Sequence, residues 1–181
     1  SRDELERHIG VDAGAAEVTR RLALKLGSPA LLTRFSRLVV DCNRHPDNPT
    51  FIPESSDTTF IPGNAALTAA QRQSRLDEIF RPYQHAVGAQ LRRLEKQFDR
   101  TGLIAIHSFT PRLRENDADR PWQIGVVWNR DPVTAARLIA HLKANSSLTI
   151  GDNQPYSMLK YSGYTLETHS EGRHTPSLLI E

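Results

Sequence analysis

"LIAIHSFTP", residues 103–111, decides how this chain is read. Leu103, Ile104, Ala105 and Ile106 form a short apolar run of the kind that makes a buried strand. The run stops abruptly at His107, and Ser108, Phe109, Thr110 and Pro111 lead away into a loop. In open α/β sheets, ligands gather outside the carboxyl ends of the strands, so a histidine placed there is well sited for chemistry. The plainer reading is a histidine that hydrogen-bonds the loop it enters, and on pattern alone that is the commoner case.

The segments on either side set the fold class. A helix is expected over "SRDELERHIGVDAGAAEVTRRLALKLGS", with Ser1 and Glu4 at capping-box spacing, Gly27 as its terminator, and Gly10 and Gly14 weakening its first half. "RLVVD" (37–41) reads as a short strand running into a loop at Asn43 and Arg44. Residues 45–65 hold Pro46, Pro49, Pro53 and Pro62 and read as a long irregular loop, which in a compact domain is functional or disordered. Thr68 and Gln71 offer a second capping box for a helix reaching about Arg100, with Pro82 expected to kink or split it.

Beyond the strand at 102–107 come the charged loop "PRLRENDADRP", a strand at "QIGVVW", a helix from Asp131 and Pro132, and a closing strand at "PSLLIE". Strands alternating with helices predict an α/β fold: a mixed, mostly parallel sheet with helices on both faces. At 181 residues a single domain is expected.

Composition narrows the function classes. Hydrophobic residues make up 38% and charged residues 24%, and no apolar run approaches the roughly 20 residues that span a bilayer. The formal charge of +2, with basic and acidic residues interspersed, argues against a nucleic-acid partner. One cysteine, Cys42, excludes an internal disulfide and a thiolate metal cluster, and is compatible with a reducing cytoplasm. There is no P-loop, dinucleotide glycine pattern or His-Glu-x-x-His motif.

Three predicted strand ends deliver polar groups toward one place: Asp41, Asn43 and Arg44 from one, His107 from another, and Glu181 from the last. An imidazole and a carboxylate so placed suit metal-assisted hydrolysis, in which zinc lowers the pKa of its bound water toward about 7 and the carboxylate takes the proton. An arginine fork beside an asparagine suits an anionic substrate, because a guanidinium matches a carboxylate in two parallel bonds. The competing structural readings are that Asp41 and Arg44 pair with each other or cap turns, and that Glu181 reflects only a chain end.

Eight motifs in order, "HIGVDAGA", "FSRLVVDCNR", "IPGNAALT", "RPYQHAV", "LIAIHSFTP", "IGVVWNRD", "GDNQPYS" and "LLIE", resemble the N-formylglutamate amidohydrolase family over nearly the whole chain. The resemblance implies a zinc carboxypeptidase-like architecture and hydrolysis of an amide next to a carboxylate, with N-formyl-L-glutamate the leading substrate. It implies one zinc ion held by His107, with Glu181 activating the zinc-bound water. Asn43 and Arg44 would hold the substrate's α-carboxylate, Arg37 would polarise the scissile carbonyl, and Tyr156 would face the substrate. The family's other zinc contact would lie before Ser1 and a final helix after Glu181, so the chain is expected to be an incomplete catalytic domain.

Of the remaining candidates, His8 and Asp12 stand four apart and would share a helical face as improvised ligands or, more simply, as a surface pair. His45 would contact substrate or be solvated, and His85 is expected on a helix packing against the sheet. Arg112, Arg114 and Arg120 offer positive charge for selecting an acidic side chain. Two rivals remain: a related hydrolase of another acyl amino acid or peptide, and a non-catalytic module that binds carboxylates.

Overall fold

The structure, a computed structural model, describes residues 7–113, 119–159, 163–173 and 175–181. In chain order its elements are α1 (Ala15–Leu26), β1 (Ser55–Ser56), β2 (Thr59–Phe60), α2 (Ala69–Arg75), α3 (Arg81–Gln97), β3 (Leu103–Ile106), β4 (Ile124–Val127), α4 (Pro132–Asn145), β5 (Ile150–Asp152), α5 (Tyr164–His169) and β6 (Ser177–Ile180).

The main sheet runs β3-β6-β4-β5, with β3–β6 and β4–β5 parallel and β4–β6 antiparallel. It is therefore mixed, as the alternation of strands and helices predicts. Successive strand residues face opposite sides, and β6 uses both. Leu178 joins Val126, Ile150, and Ala135 and Ile139 of α4 in one cluster, whereas Leu179 joins Val127, Met158 and Leu166 of α5 in another. Helices thus cover both faces, and these apolar strands read as continuous runs for that reason. Each such side chain, fully buried, contributes about 1.5–3 kcal/mol.

The N-terminal half departs from expectation in three places. Among the described residues the first helix is only Ala15–Leu26: residues 8–10 form a turn, and Gly14 precedes the helix at φ +80°, a conformation glycine adopts without strain. Ser1 and Glu4 lie outside the described residues. "RLVVD" is not a strand. Leu38 and Val40 are buried as the pattern requires, but the backbone turns, and its carbonyls are satisfied by side chains: Asn64 Nδ2 donates to Leu38 O (2.8 Å) and Arg75 Nη1 to Val39 O (2.8 Å). Burial set the apolar alternation there without a neighbouring strand.

The proline-rich stretch is built rather than loose. Phe51 and Ile52 sit in a cluster with Val40, Cys42 and Phe80, and β1 and β2 form a hairpin turning at Asp57 and Thr58, both at positive φ. The second capping box is present, with Thr68 and Gln71 each bonded to the other's backbone. The long α-helix is interrupted just before Pro82 rather than at it. A π-helical turn at Leu76–Phe80 precedes it, and the proline falls in the first turn of α3, where its missing N–H matters least. No described helix is long and apolar enough to cross a membrane.

Candidate active site

Strand pairing delivers the two residues that matter most. Ile106 of β3 lies opposite Ile180 of β6, so the next residues, His107 and Glu181, leave the sheet side by side. The His107 N–H donates to Ile180 O at 2.8 Å, and Glu181 exchanges backbone hydrogen bonds with Gly125 of β4 (2.9 and 3.0 Å). Gly125 has no room for a side chain: a Cβ there would run into the Gln154 carbonyl and come within 3.2 Å of Glu181 Cβ. The "NQPYS" loop thus crosses the sheet directly over the base of Glu181.

Glu181 itself is held without its full complement of partners. Its Oε2 is buried and makes no hydrogen bond among the described residues. Burial, aided by the negative charge of Asp12, pushes its pKa up to about 7, against the opposing pull of His107, Arg37 and Arg120. A buried carboxylate left half-satisfied costs stability, and perturbed carboxylates of this kind concentrate at functional sites.

Facing it, His107 Nδ1 and Asp12 Oδ2 lie 2.7 Å apart. Burial works against the imidazolium, but the hydrogen bond and charge of Asp12, joined by Glu181, outweigh it and raise the His107 pKa. Burial likewise disfavours the Asp12 carboxylate, and His107 and Arg37 overcome it, so Asp12 titrates below its usual range. The two shifts agree in direction: each partner favours the charged form of the other.

Arg37 stands behind that pair. Its Nε and Nη2 donate to Asp41 Oδ2 (3.2 and 2.7 Å), while Nη1 reaches Asp12 Oδ1 at a long 3.5 Å. Burial opposes its charge, but the two carboxylates hold it fully protonated. Asp41 in turn accepts the Asn43 N–H on Oδ1 (2.9 Å), and the Arg44 N–H donates to its carbonyl (3.1 Å), so one buried acid shapes the whole "DCNR" turn. Asp41 therefore pairs with Arg37 and caps a turn; it does not pair with Arg44.

Asn43 spends its side-chain oxygen on the Thr165 N–H (3.1 Å) at the start of α5, which leaves its amide N–H groups for a ligand. Among the described residues the Arg44 side chain makes one bond, from Nη1 to Asn43 O (3.2 Å), and has no carboxylate partner. Tyr156 is half-exposed; its hydroxyl accepts from Arg120 Nη1 at 3.0 Å, and the guanidinium lies 4.8 Å from its ring centre. Asp12, Arg37, Asp41, Asn43 and His107 form the polar end of an open cavity of about 1040 Å³ whose walls include Leu22, Val87 and Leu91.

Asp12 is the residue that sequence reasoning undervalued. The helix expected there would have paired it with His8. Instead His8 Nε2 lies 3.4 Å from Asp57, and Asp12 turns toward His107. Its signal was the flanking Gly10 and Gly14, which disfavour helix and leave an acid on an irregular segment. His45 contacts Glu167 (3.3 Å) and the Tyr164 ring. His85 is exposed and does not pack on the sheet; its neighbour Gln84 is the buried residue, bonded to Cys42 O and His169. Arg112 pairs with Asp119 (2.6 Å), and Arg114 lies outside the described residues.

As to a metal, the described residues place no group of three or more His, Cys, Asp or Glu side chains around one point. His107 and Asp12 nevertheless supply an imidazole and a carboxylate in contact, beside the orphaned Glu181 oxygen, and this donor chemistry fits zinc.

Comparison with known proteins gives a consistent result. The family model for N-formylglutamate amidohydrolase matches residues 1–181. The crystal structure of gene product Atu2144 from Agrobacterium tumefaciens is 32% identical, with a TM-score of 0.88 over 100% of this chain and 71% of that one. The N-formylglutamate amidohydrolase from Ralstonia eutropha JMP134 is 19% identical with a TM-score of 0.52, over 80% of this chain and 60% of that one, a likeness of fold alone. No protein of curated function matches the chain.

Proposed function

Because the chain belongs to the N-formylglutamate amidohydrolase family, we propose that it catalyses zinc-dependent hydrolysis of a small N-acyl amino acid, with N-formyl-L-glutamate as the leading substrate, giving formate and glutamate. The observation that carries this is Glu181: a buried carboxylate with a free oxygen and a pKa near 7, placed beside the Asp12–His107 pair.

A general base works best when its pKa lies near the working pH, and burial has brought Glu181 there. Glu181 would take a proton from the attacking water as its oxygen bonds to the formyl carbon. It would then give that proton to the amide nitrogen as the C–N bond breaks, serving as base and afterwards as acid. His107 and Asp12 would hold zinc, whose chemistry there is to polarise the water and the scissile carbonyl. Arg37, fixed by Asp41, would keep Nη1 available for the negative charge that develops on the carbonyl oxygen. Asn43 through its amide N–H and Arg44 through its uncommitted fork would bind the α-carboxylate.

A panel of N-formyl, N-acetyl and N-succinyl amino acids, assayed with zinc supplied, tests the proposal. The expected result is fastest turnover of N-formyl-L-glutamate, with loss of turnover in His107→Ala. Equal rates across the acyl groups would point to a broader amidase, and no turnover of any substrate would leave a carboxylate-binding module.

A further inference from the structure

Three arginines surround the site, and they are not equivalent. Arg37 has closed its Nε–Nη2 edge on Asp41. That edge is one of the two through which a guanidinium grips a carboxylate in two parallel bonds. In Arg44 and Arg120 it makes no bond among the described residues, and neither arginine has a carboxylate partner there. Arg44 belongs to the "DCNR" turn. Arg120 comes from the other side, at the end of the charged loop.

Arg120 is unusually well fixed for an arginine without an acid. Its Nη1 donates to Thr110 O (3.2 Å) and to the Tyr156 hydroxyl (3.0 Å), its guanidinium lies against the Tyr156 ring, and its backbone N–H is bonded to Pro111 O (3.3 Å). These contacts are to neutral groups, so they orient the fork without neutralising it. Geometry places it beside the site: Thr110 and Pro111 lie in the loop that leaves β3 just after His107, and Tyr156 lies in the loop that packs on Gly125 next to Glu181.

We propose that Arg120 is the specificity-determining residue that grips the side-chain carboxylate of an acidic N-acyl amino acid, with Tyr156 as the residue that positions it. The inference rests on the proposed hydrolysis for its substrate class. It makes the two open forks, Arg44 and Arg120, the two anchors of a dicarboxylate. It also gives Tyr156 a role one step removed from the reacting atoms. Arg112, the other described arginine of this loop, has its carboxylate partner in Asp119.

The test compares an acid with its neutral isostere. Turnover of N-formylglutamate and N-formylglutamine, and calorimetric binding of L-glutamate and L-glutamine, are measured in the parent, Arg120→Gln, Arg120→Lys and Tyr156→Phe. The parent is expected to favour the acid in both measurements. Arg120→Gln is expected to shrink that preference by about tenfold or more, the value of a charge-assisted hydrogen bond. Arg120→Lys should keep part of it. Tyr156→Phe should erode it through KM with little effect on kcat, since the charge remains but its orientation is lost. Glutamine binding reports an intact site in each variant.

An acid-to-neutral ratio that is unchanged in Arg120→Gln, or equal binding of glutamate and glutamine by the parent, overturns the proposal. If no substrate is hydrolysed while Arg120→Gln still abolishes the preference for glutamate, the hydrolytic function fails and the role of Arg120 stands.

Discussion

His107 and Glu181 leave adjacent parallel strands at the same level, joined by the His107 N–H to Ile180 O hydrogen bond of 2.8 Å. Sheet register, rather than any loop, therefore fixes the distance between the imidazole and the carboxylate. Sites built on strands hold their geometry more tightly than sites built on loops. Much of what can be predicted concerns what keeps that register and what surrounds it.

Gly125 guards Glu181 from the far side. Gly125→Ala would press a methyl group onto the Gln154 carbonyl of the crossing loop and against Glu181 Cβ just past β6. Overpacking of this kind costs about 1–3 kcal/mol. Thermal unfolding should show the loss, and activity should fall with it, whereas Gly63→Ala, with open space around it, should change neither.

Asp12 should matter to metal retention as much as to structure. Asp12→Asn leaves the hydrogen-bonding shape beside His107 but removes the charge and one oxygen donor. Zinc affinity measured by competition with a chelating dye should drop by about tenfold or more. An unchanged affinity would remove Asp12 from the metal site.

Asp131 links α4 to β6, the strand that carries Glu181. Its Oδ1 accepts the Thr134 N–H (2.9 Å) and its Oδ2 the Ser177 N–H (3.1 Å). Burial opposes ionisation, but these bonds prevail and its pKa falls below the ordinary 3.8. A depressed carboxylate contributes stability above its unfolded pKa and loses it as pH falls through the folded one. Asp131→Ala should therefore cost about 1 kcal/mol at neutral pH in denaturant titrations. That difference should shrink as the medium is acidified through the depressed folded-state pKa of Asp131.

Cys42 should be inert in the folded chain. Burial first, with the nearby charge of Asp41, pushes its thiol up to about 11 despite a hydrogen bond with Thr33. At pH 8 only about one thiol in a thousand is then the reactive thiolate. Labelling with a disulfide reagent should be slow in the native protein and fast after unfolding; rapid native labelling would mean the "DCNR" turn opens readily.

The apolar runs made the main sheet legible in the sequence. "IGVV" and "SLLI" became β4 and β6 because each is buried on both faces, "LIAI" became β3 although its Ile104 is exposed, and Asp131–Pro132 started α4 as a cap should. One element was misread and another went unassigned, each for a physical reason. "RLVVD" has the alternation of a strand, but Asn64 and Arg75 side chains take its carbonyls, a long-range pairing that local pattern does not encode. The segment before β6 contains α5, whose start is capped from far away by Asn43 Oδ1 on Thr165 N. For the site, strand-end position pointed to His107 and Glu181. It did not point to Asp12, which arrives from an irregular segment 95 residues upstream of the histidine it contacts.

The most direct test of the account is steady-state hydrolysis of N-formyl-L-glutamate, with bound zinc measured in the same samples, by the parent and by Glu181→Gln. The variant keeps the size of the side chain and removes only its capacity to take a proton. The account predicts equal zinc in both proteins and a kcat lower by about 10²–10⁴ in the variant. A Glu181→Gln protein that hydrolyses the substrate as fast as the parent would contradict it.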